Sequence, residues 1–284
     1  MAISASMVKE LRERTGLGMM DCKTALVEAD GDMESAIDNL RKSSGMKAAK
    51  KAGRIASDGM ISVRVSSDGQ FGIMVEVNCE TDFAARDENF IDFVQMVADK
   101  AYAERVTTID DLLSLGLEPL RESLVQKIGE NISIRRLEVF TNPRVFSYVH
   151  TNNKIGVLVS LEGGSEGLGK DIAMHIAATS PIVVSPDEAP VDMISREREI
   201  YTVQAKESGK PPEIAEKMVE GRIRKYLEEI SLTEQAFVKD SDLKVGSLLK
   251  KEKSRIVKFR RYEVGEGIDK AEEDFAAEVA KQLT

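Results

Sequence analysis

The 284-residue chain has no tryptophan, two cysteines and two histidines. Each scarcity removes a class of function. Without tryptophan, and with its other aromatics not interleaved among basic residues, the chain offers only a weak stacking platform for single-stranded nucleic acid. Cys22 and Cys79 are too few for a disulfide scaffold and neither belongs to a Cys-x-x-Cys pair, which fits a reducing, cytoplasmic setting. His150, His175 and two distant cysteines give no metal-ligand spacing, so neither a zinc site nor another metal or cofactor is expected. No apolar run reaches the roughly 18 residues a membrane span needs. The first residues, "MAISASMVKELRERTG", lack the apolar segment of a secretory signal.

Positive charge is also short. Net charge is -9 and the isoelectric point about 5.1. Phosphate neutralisation dominates nucleic-acid affinity, so direct nucleic-acid binding is not expected of the whole chain. The exception is "RKSSGMKAAKKAGR", in which Arg41, Lys42, Lys47, Lys50, Lys51 and Arg54 stand without an acid. Such a patch suits RNA or an acidic protein surface; the reading that needs no partner, a solvated linker after a short helix, is favoured.

What is present is organised. Hydrophobic content of 42% supports a packed core. The first fifty residues read as three short helices. One stripe of Met7, Val8 and Leu11 ends at Gly16; another of Cys22, Leu26 and Ala29 ends at Gly31. Asp32 then caps a third with Met33, Ala36, Ile37 and Leu40 on its apolar face. Between the first two lies "TGLGMMD", whose adjacent Met19 and Met20 suit either an adaptable contact surface or the small core.

From Asp58 the period changes to two. "MISVRV", a polar turn and "FGIMVEV" predict a β-hairpin, "FIDFVQMVADKAY" an amphipathic helix and "ISIRRLEVF" a further strand. The same plan recurs as "VFSYVH", "IGVLVSL", "DIAMHIAA" and "VKFRRYEVG". Gly72 corresponds to Gly156 and Ile132 to Val257, so two β-β-α…β units are expected, the second longer. The added residues are placed in "VDMISREREIYTVQAKESGKPPEIAEKMVEGRIRKYLEEIS". Ile194, Tyr201 and Ala205 on one arm and Ala215, Val219, Ile223, Leu227 and Ile230 on the other predict an antiparallel helical hairpin. That hairpin either packs on the body or meets a copy of itself. "EGIDKAEEDFAAEVAKQL" predicts a C-terminal helix with Ile268, Phe275 and Val279 available for docking. The fold class is α+β, with boundaries at 1–54, 55–142, 143–265 (hairpin at about 187–232) and 266–284.

Catalytic chemistry is hard to find. "GSEGLGK", Gly164 to Lys170, has the spacing of a phosphate-binding loop, but Asp171 stands where a Ser or Thr would hold magnesium. Glu162 and Glu166 place negative charge where phosphates would sit, and hairpins are not the parallel sheet such a loop belongs to. A flexible turn is expected instead. His175 lies among apolar residues and reads as a satisfied, partly buried side chain; His150 ends a strand at a turn, a position suited to a partner contact. Residues alone thus indicate a cytoplasmic, multi-module interaction protein, with a Phe83 at a polar corner in "NCETDFAARDENF" that suits a core or a partner.

The motifs carry further. "MVKELRERTGLGMMDCK", "KAAKKAG", "EVNCETDF", "IGENISIRR", "HIAA", "IAEKMVEGR" and "YEVGEGI" follow in order, and together they closely resemble the bacterial translation elongation factor Ts family over essentially the whole chain. The resemblance implies a ubiquitin-associated-type (UBA-like) bundle, two related α/β core subdomains, and an inserted coiled-coil linked to self-association, hence a possible homodimer. It implies guanine nucleotide exchange on elongation factor Tu: binding the GDP complex, promoting GDP loss and leaving when GTP binds, without enzymatic chemistry. It assigns Thr81, Asp82, Phe83 and Ala84 to a turn that dislodges the partner's Mg2+, Phe83 being the wedge and Asp82 orienting the turn without ligating metal. Met19, Met20, Lys23, Ile128, Gly129 and His150 match secondary contacts. Ala84 stands where a larger aliphatic residue is common and Arg86 where lysine often appears.

Overall fold

The computed structural model describes residues 3–141, 143–207 and 209–269. Helices and small antiparallel sheets alternate, an α+β arrangement. The chain falls into two compact units, one holding Met74–Glu138 with the residues up to Arg64 and from Tyr262, the other Val65–Ile73 and Val139–Arg261.

Helix α1 (Ala5–Thr15) begins where the Ser4 hydroxyl accepts the Met7 N–H at 3.3 Å and stops at Gly16 (φ +69°), whose N–H closes on the Arg12 carbonyl at 2.7 Å. Helix α2 is Met19–Glu28, and α3 (Met33–Lys51) starts where the Asp32 carboxylate accepts the Ser35 N–H at 2.7 Å. Val8, Leu11, Leu17, Cys22, Leu26, Ala36 and Leu40 bury against one another.

The basic stretch is not a linker: α3 continues through Lys51, leaving only Arg54 of the six cations beyond it. Ser44 and Ala48 give this half a buried face, and the helix packs on α7 (Glu118–Ile128). A Cβ at Gly45 would stand 3.0 Å from the Glu122 carboxylate, so the missing side chain allows the close approach. The buried stripe is made of small residues, one of them a serine that bonds the Arg41 carbonyl, and a hydrophobic pattern under-weights these.

Strands β1 (Asp58–Val65), β2 (Phe71–Cys79) and β3 (Ser133–Thr141) form one sheet in the order β1-β2-β3, with β2 buried throughout. Single-turn helix α4 (Asp82–Ala85) and helices α5 (Glu88–Ala103), α6 (Ile109–Ser114) and α7 come between β2 and β3; α5 buries Phe90, Phe93, Val94 and Val97.

Strands β4 (Val145–Val149) and β5 (Ile155–Glu162) pair antiparallel from Val145–Ser160 to Val149–Gly156. With β8 (Arg255–Glu263) they form a sheet in the order β4-β5-β8, the same hairpin-plus-closing-strand order as the first. Helix α8 (Glu166–Thr179) lays Leu168, Ile172 and Ile176 on Phe146, Val157 and Val159. It begins earlier than the sequence suggested. Ser165 caps it through the Leu168 N–H at 3.2 Å, and most of "GSEGLGK" is its first turns rather than a flexible turn. Lys170 pairs with Glu166 at 2.6 Å, and a Cβ at Gly169 would collide with the Phe146 ring at 2.3 Å. With the Leu168 and Gly169 N–H groups bonded to Ser165 and Gly169 packed against Phe146, the segment is a capped helix start rather than a loop that wraps a phosphate.

Helices α9 (Val191–Glu207) and α10 (Pro212–Ile230) run antiparallel: Ala205 packs with Val219, while Ile194 also meets Leu227. Between them and β8 lie a two-stranded ribbon, β6 (Ala236–Phe237) and β7 (Asp240–Lys244), and helix α11 (Val245–Lys251). In the first unit α6 and α7 stand between the long helix and the closing strand; in the second, beside the hairpin, the ribbon and α11 do. The ribbon gave no alternating signal because β6 is two residues long and β7 is largely exposed. The expected C-terminal helix, with Phe275 and Val279, lies outside the described residues; Ile268 lies within them, its N–H closing a turn on the Gly265 carbonyl at 3.0 Å.

Candidate functional site

Strand β2 delivers the chain, fully buried, as far as Cys79 and then releases it. Glu80 and Thr81 turn the backbone. The Thr81 hydroxyl accepts the Ala84 N–H at 3.2 Å and caps α4, and the Asp87 carboxylate accepts the Asn89 N–H at 2.8 Å and caps α5. Between these two caps the single turn sorts its side chains: Ala84 is 4% exposed and Phe83 is 80% exposed. Phe83 is not core. Asp82 holds Arg86 at 2.7 Å along the same turn.

A second segment braces the first. After α7 the chain turns at Gly129 (φ +86°), and Glu130 reaches back to the corner. One of its carboxylate oxygens accepts the N–H groups of Glu80 (3.0 Å) and Thr81 (2.9 Å); the other accepts the Thr81 hydroxyl at 2.6 Å. In return the Glu80 carboxylate accepts the Asn131 N–H at 2.6 Å. The Asn131 amide donates to the Arg54 carbonyl at 2.8 Å, and the Lys51 ammonium to the Gly129 carbonyl, tying the end of α3 to the same segment.

Phe83 and Ala84 share a concavity of about 500 Å³ with Arg12, Leu17, Lys127 and Ile128. Its walls carry both signs of charge. Hydrogen bonding to the Asn89 side chain is the chief cause that holds the Asp87 carboxyl below its ordinary range, with the Lys127 ammonium adding to it; Lys127 itself donates to Asn89 Oδ1 at 2.6 Å. Gly18 lines the same concavity, and Met19 and Met20 follow it as the first residues of α2, 58% and 69% exposed. Lys23 is exposed one turn later. So Thr81–Ala84, Ile128, Gly129 and the start of α2 occupy one unit, and the concavity brings Phe83, Ala84 and Ile128 together. His150 belongs to the other unit, exposed, its Nδ1 3.2 Å from the Tyr148 hydroxyl.

Glu130, Asn131 and Glu80 have no role in the sequence reading, and Lys51 enters it only as one cation of the basic stretch. Their signal was faint but present: Glu130 and Asn131 complete "IGENISIRR", whose first two residues were singled out. His175, by contrast, is a structural pin. It is fully buried, its Nδ1 accepts the Val238 N–H at 3.1 Å, and its Nε2 therefore carries the proton toward Gln235 Oε1 at 3.0 Å.

Among the described residues no group of three or more His, Cys, Asp or Glu side chains is placed to hold a metal ion, and no helix is long and apolar enough to cross a membrane. The arrangement offers an exposed aromatic ring on a braced turn beside a shallow concavity.

Comparison with known proteins gives a consistent picture. The family model described as Elongation factor TS matches residues 80–266, more than half of the chain. Elongation factor Ts of Hahella chejuensis is 61% identical over 282 residues, covering 99% of each chain. Elongation factor Ts of Teredinibacter turnerae is 54% identical over 286 residues, 100% of this chain and 98% of that one. The Yersinia pestis protein of the same name is 55% identical over 279 residues, 98% and 97% of the two chains.

Proposed function

The chain belongs to the elongation factor Ts family, and from that membership we propose that it is a guanine nucleotide exchange factor for elongation factor Tu in translation elongation. It binds the GDP complex, promotes GDP loss and makes or breaks no covalent bond itself. In a GTPase, Mg2+ bridges a phosphate of the nucleotide to protein oxygens and neutralises its charge. An exchange factor need not touch the nucleotide. It has to bind better to the partner conformation in which that coordination is broken, and the difference in affinity sets how far the equilibrium moves.

Thr81, Asp82, Phe83 and Ala84 form the element that does this. Phe83 is the wedge entering the partner near its magnesium site. Its 80% exposure on a turn braced from outside is the observation that carries the reading, because a ring held in water by a fixed backbone is pre-organised for a pocket elsewhere. An aromatic anchor of this kind is worth about 2 kcal/mol or more on truncation. Asp82 orients the turn through Arg86 and ligates no metal. Met19, Met20 and Lys23 extend the contact from α2, Ile128 and Gly129 from the end of α7, and His150 makes a separate contact from the other unit.

The same reading treats residues 1–54 as a ubiquitin-associated-type module and 55–142 and 143–265 as duplicated core subdomains. The hairpin at about 187–232 is an arm for self-association, and the C-terminal module expected at 266–284 lies, beyond Asp269, outside the described residues. The setting is the cytoplasm. The deciding experiment mixes the chain, at substoichiometric amounts, with elongation factor Tu carrying fluorescent GDP. Many release events per molecule are expected; release at the spontaneous rate refutes the proposal.

A further inference from the structure

A four-residue helical turn cannot hold itself. Nucleation of helix is unfavourable and α4 ends before propagation could compensate, so the direction in which Phe83 points is set by what grips the turn from outside. The grip is Glu130. Its carboxylate takes three donors from two consecutive residues: the Glu80 and Thr81 N–H groups at 3.0 and 2.9 Å and the Thr81 hydroxyl at 2.6 Å. Hydrogen bonds to an ionised acceptor are the strong class.

The hydroxyl bond also has a direction. Thr81 Oγ1 has one proton, and the carboxylate, having none, must receive it. The lone pairs of Oγ1 then face the Ala84 N–H, 3.2 Å away. A single relay therefore runs from the Ala84 N–H through the Thr81 hydroxyl to Glu130, spanning Phe83. We propose that Glu130 is a positioning residue for nucleotide exchange: acting through Thr81, it fixes the turn so that the Phe83 ring is presented in one orientation. This rests on the reading of Phe83 as the wedge. The brace is anchored in turn, because Glu80 accepts the Asn131 N–H and Lys51 holds the Gly129 carbonyl, so the turn is referred to the end of α3 as well as to its own strand.

Removing Glu130 leaves partly exposed donors that water can satisfy, so the loss falls on pre-organisation rather than on the fold. Affinity spread over a broad contact surface changes little, while the step that needs the ring in place slows. The test is stopped-flow release of fluorescent GDP from elongation factor Tu at varied concentrations of the full chain, with thermal melts alongside. Glu130→Ala is expected to lower the maximal release rate roughly tenfold, the loss of charged hydrogen bonds, and to move the half-saturating concentration by less than about threefold. Glu130→Gln, which keeps one acceptor oxygen, falls between. Because Glu130 acts through the ring, adding Glu130→Ala to Phe83→Ala should slow release no further.

A wild-type maximal rate in Glu130→Ala, or full additivity with Phe83→Ala, overturns the assignment, as does a lowered melting temperature with an unchanged maximal rate. Should the alanine variant not fold, Glu130→Gln decides by the same two criteria. Failure of the wild-type chain to accelerate release would instead overturn the proposed function itself. A slow Phe83→Ala beside a fast Glu130→Ala overturns this inference alone.

Discussion

Glu76, with no exposed surface, faces Arg135 at 3.0 Å and also pairs with the Nε of Arg136. The Gly265 N–H and the Asn78 amide complete its shell at 2.9 and 3.0 Å. Arg136 also lies 3.9 Å from the centre of the Tyr262 ring and donates to the Glu263 carbonyl at 2.9 Å. A carboxylate buried on β2 thus ties the Arg-Arg pair of β3 to the chain just after β8. Burial pushes its pKa up, but the Gly265 N–H and Arg136 outweigh that and hold it below the ordinary value. A depressed folded-state pKa contributes stability that is fully present above the unfolded-state value, about 4.3, and lost as pH falls through the folded-state one. Glu76→Gln should therefore destabilise at pH 7 by about 3 kcal/mol, because two guanidinium groups lose their partner. The variant's stability should also fall less than wild type as pH drops below about 4. Urea melts of both proteins at pH 7 and pH 3.5 check this.

Two phenylalanines seven residues apart should behave oppositely. Phe83 is 80% exposed and Phe90 is fully buried. Phe83→Ala should change folding stability by no more than about 0.5 kcal/mol. Phe90→Ala should cost about 3–5 kcal/mol through the cavity left behind. Denaturant midpoints measured side by side separate them, and an unfolded Phe83→Ala would make that ring core.

His175 provides a second acid-sensitive point. Burial lowers its pKa, against the smaller opposing effect of Gln235. The unfolded chain then takes up this proton more readily than the folded one, so its contribution to stability is complete above the unfolded-state value of about 6.5 and declines as pH falls below it. His175→Gln should flatten the stability profile between about pH 6.5 and 5. Melting temperatures across that range test the sign.

The helical hairpin carries its own core of Ala205, Val219 and Ile223, yet leaves Val191, Val203 and Ile214 at 77%, 57% and 48% exposure. If this arm joins two copies, the full chain sediments as a dimer, and Val203→Lys with Ile214→Lys shifts it toward monomer without lowering the melting temperature. Sedimentation velocity at several concentrations reads the result.

How much of this was legible in the sequence follows from the range of the forces involved. Period and capping are local, so the three N-terminal helices, both hairpins of strands and the striped arms of α9 and α10 could be read from residue spacing. Small-residue packing is not local in that sense. The buried face of Ser44 and Ala48 on α3 and the contact of Gly169 with Phe146 depend on a facing element, and without it the first looked like a linker and the second like a loop. Buried ion pairs are the least legible. The repeated Arg-Arg-x-Glu motif gave no hint that its first copy grips Glu76. At the matching place in the second unit stands Ser160, and Arg261 there donates to the Ala177 carbonyl at 3.3 Å. At the candidate site, Phe83 was conspicuous as an aromatic at a polar corner, whereas Glu130 was one acid among many until the fold brought it to Thr81 from 49 residues away.

The central claim is that Phe83 acts by breaking the partner's magnesium coordination. It is tested most directly by the rate of GDP release from elongation factor Tu, catalysed by the wild-type chain and by Phe83→Ala, with Mg2+ present and with it chelated. A truncated anchor worth about 2 kcal/mol predicts release roughly thirtyfold slower for the variant in Mg2+. With the ion removed there is nothing left for the ring to dislodge, and the two rates should converge. A gap that persists undiminished without Mg2+, or no gap in its presence, would contradict the account.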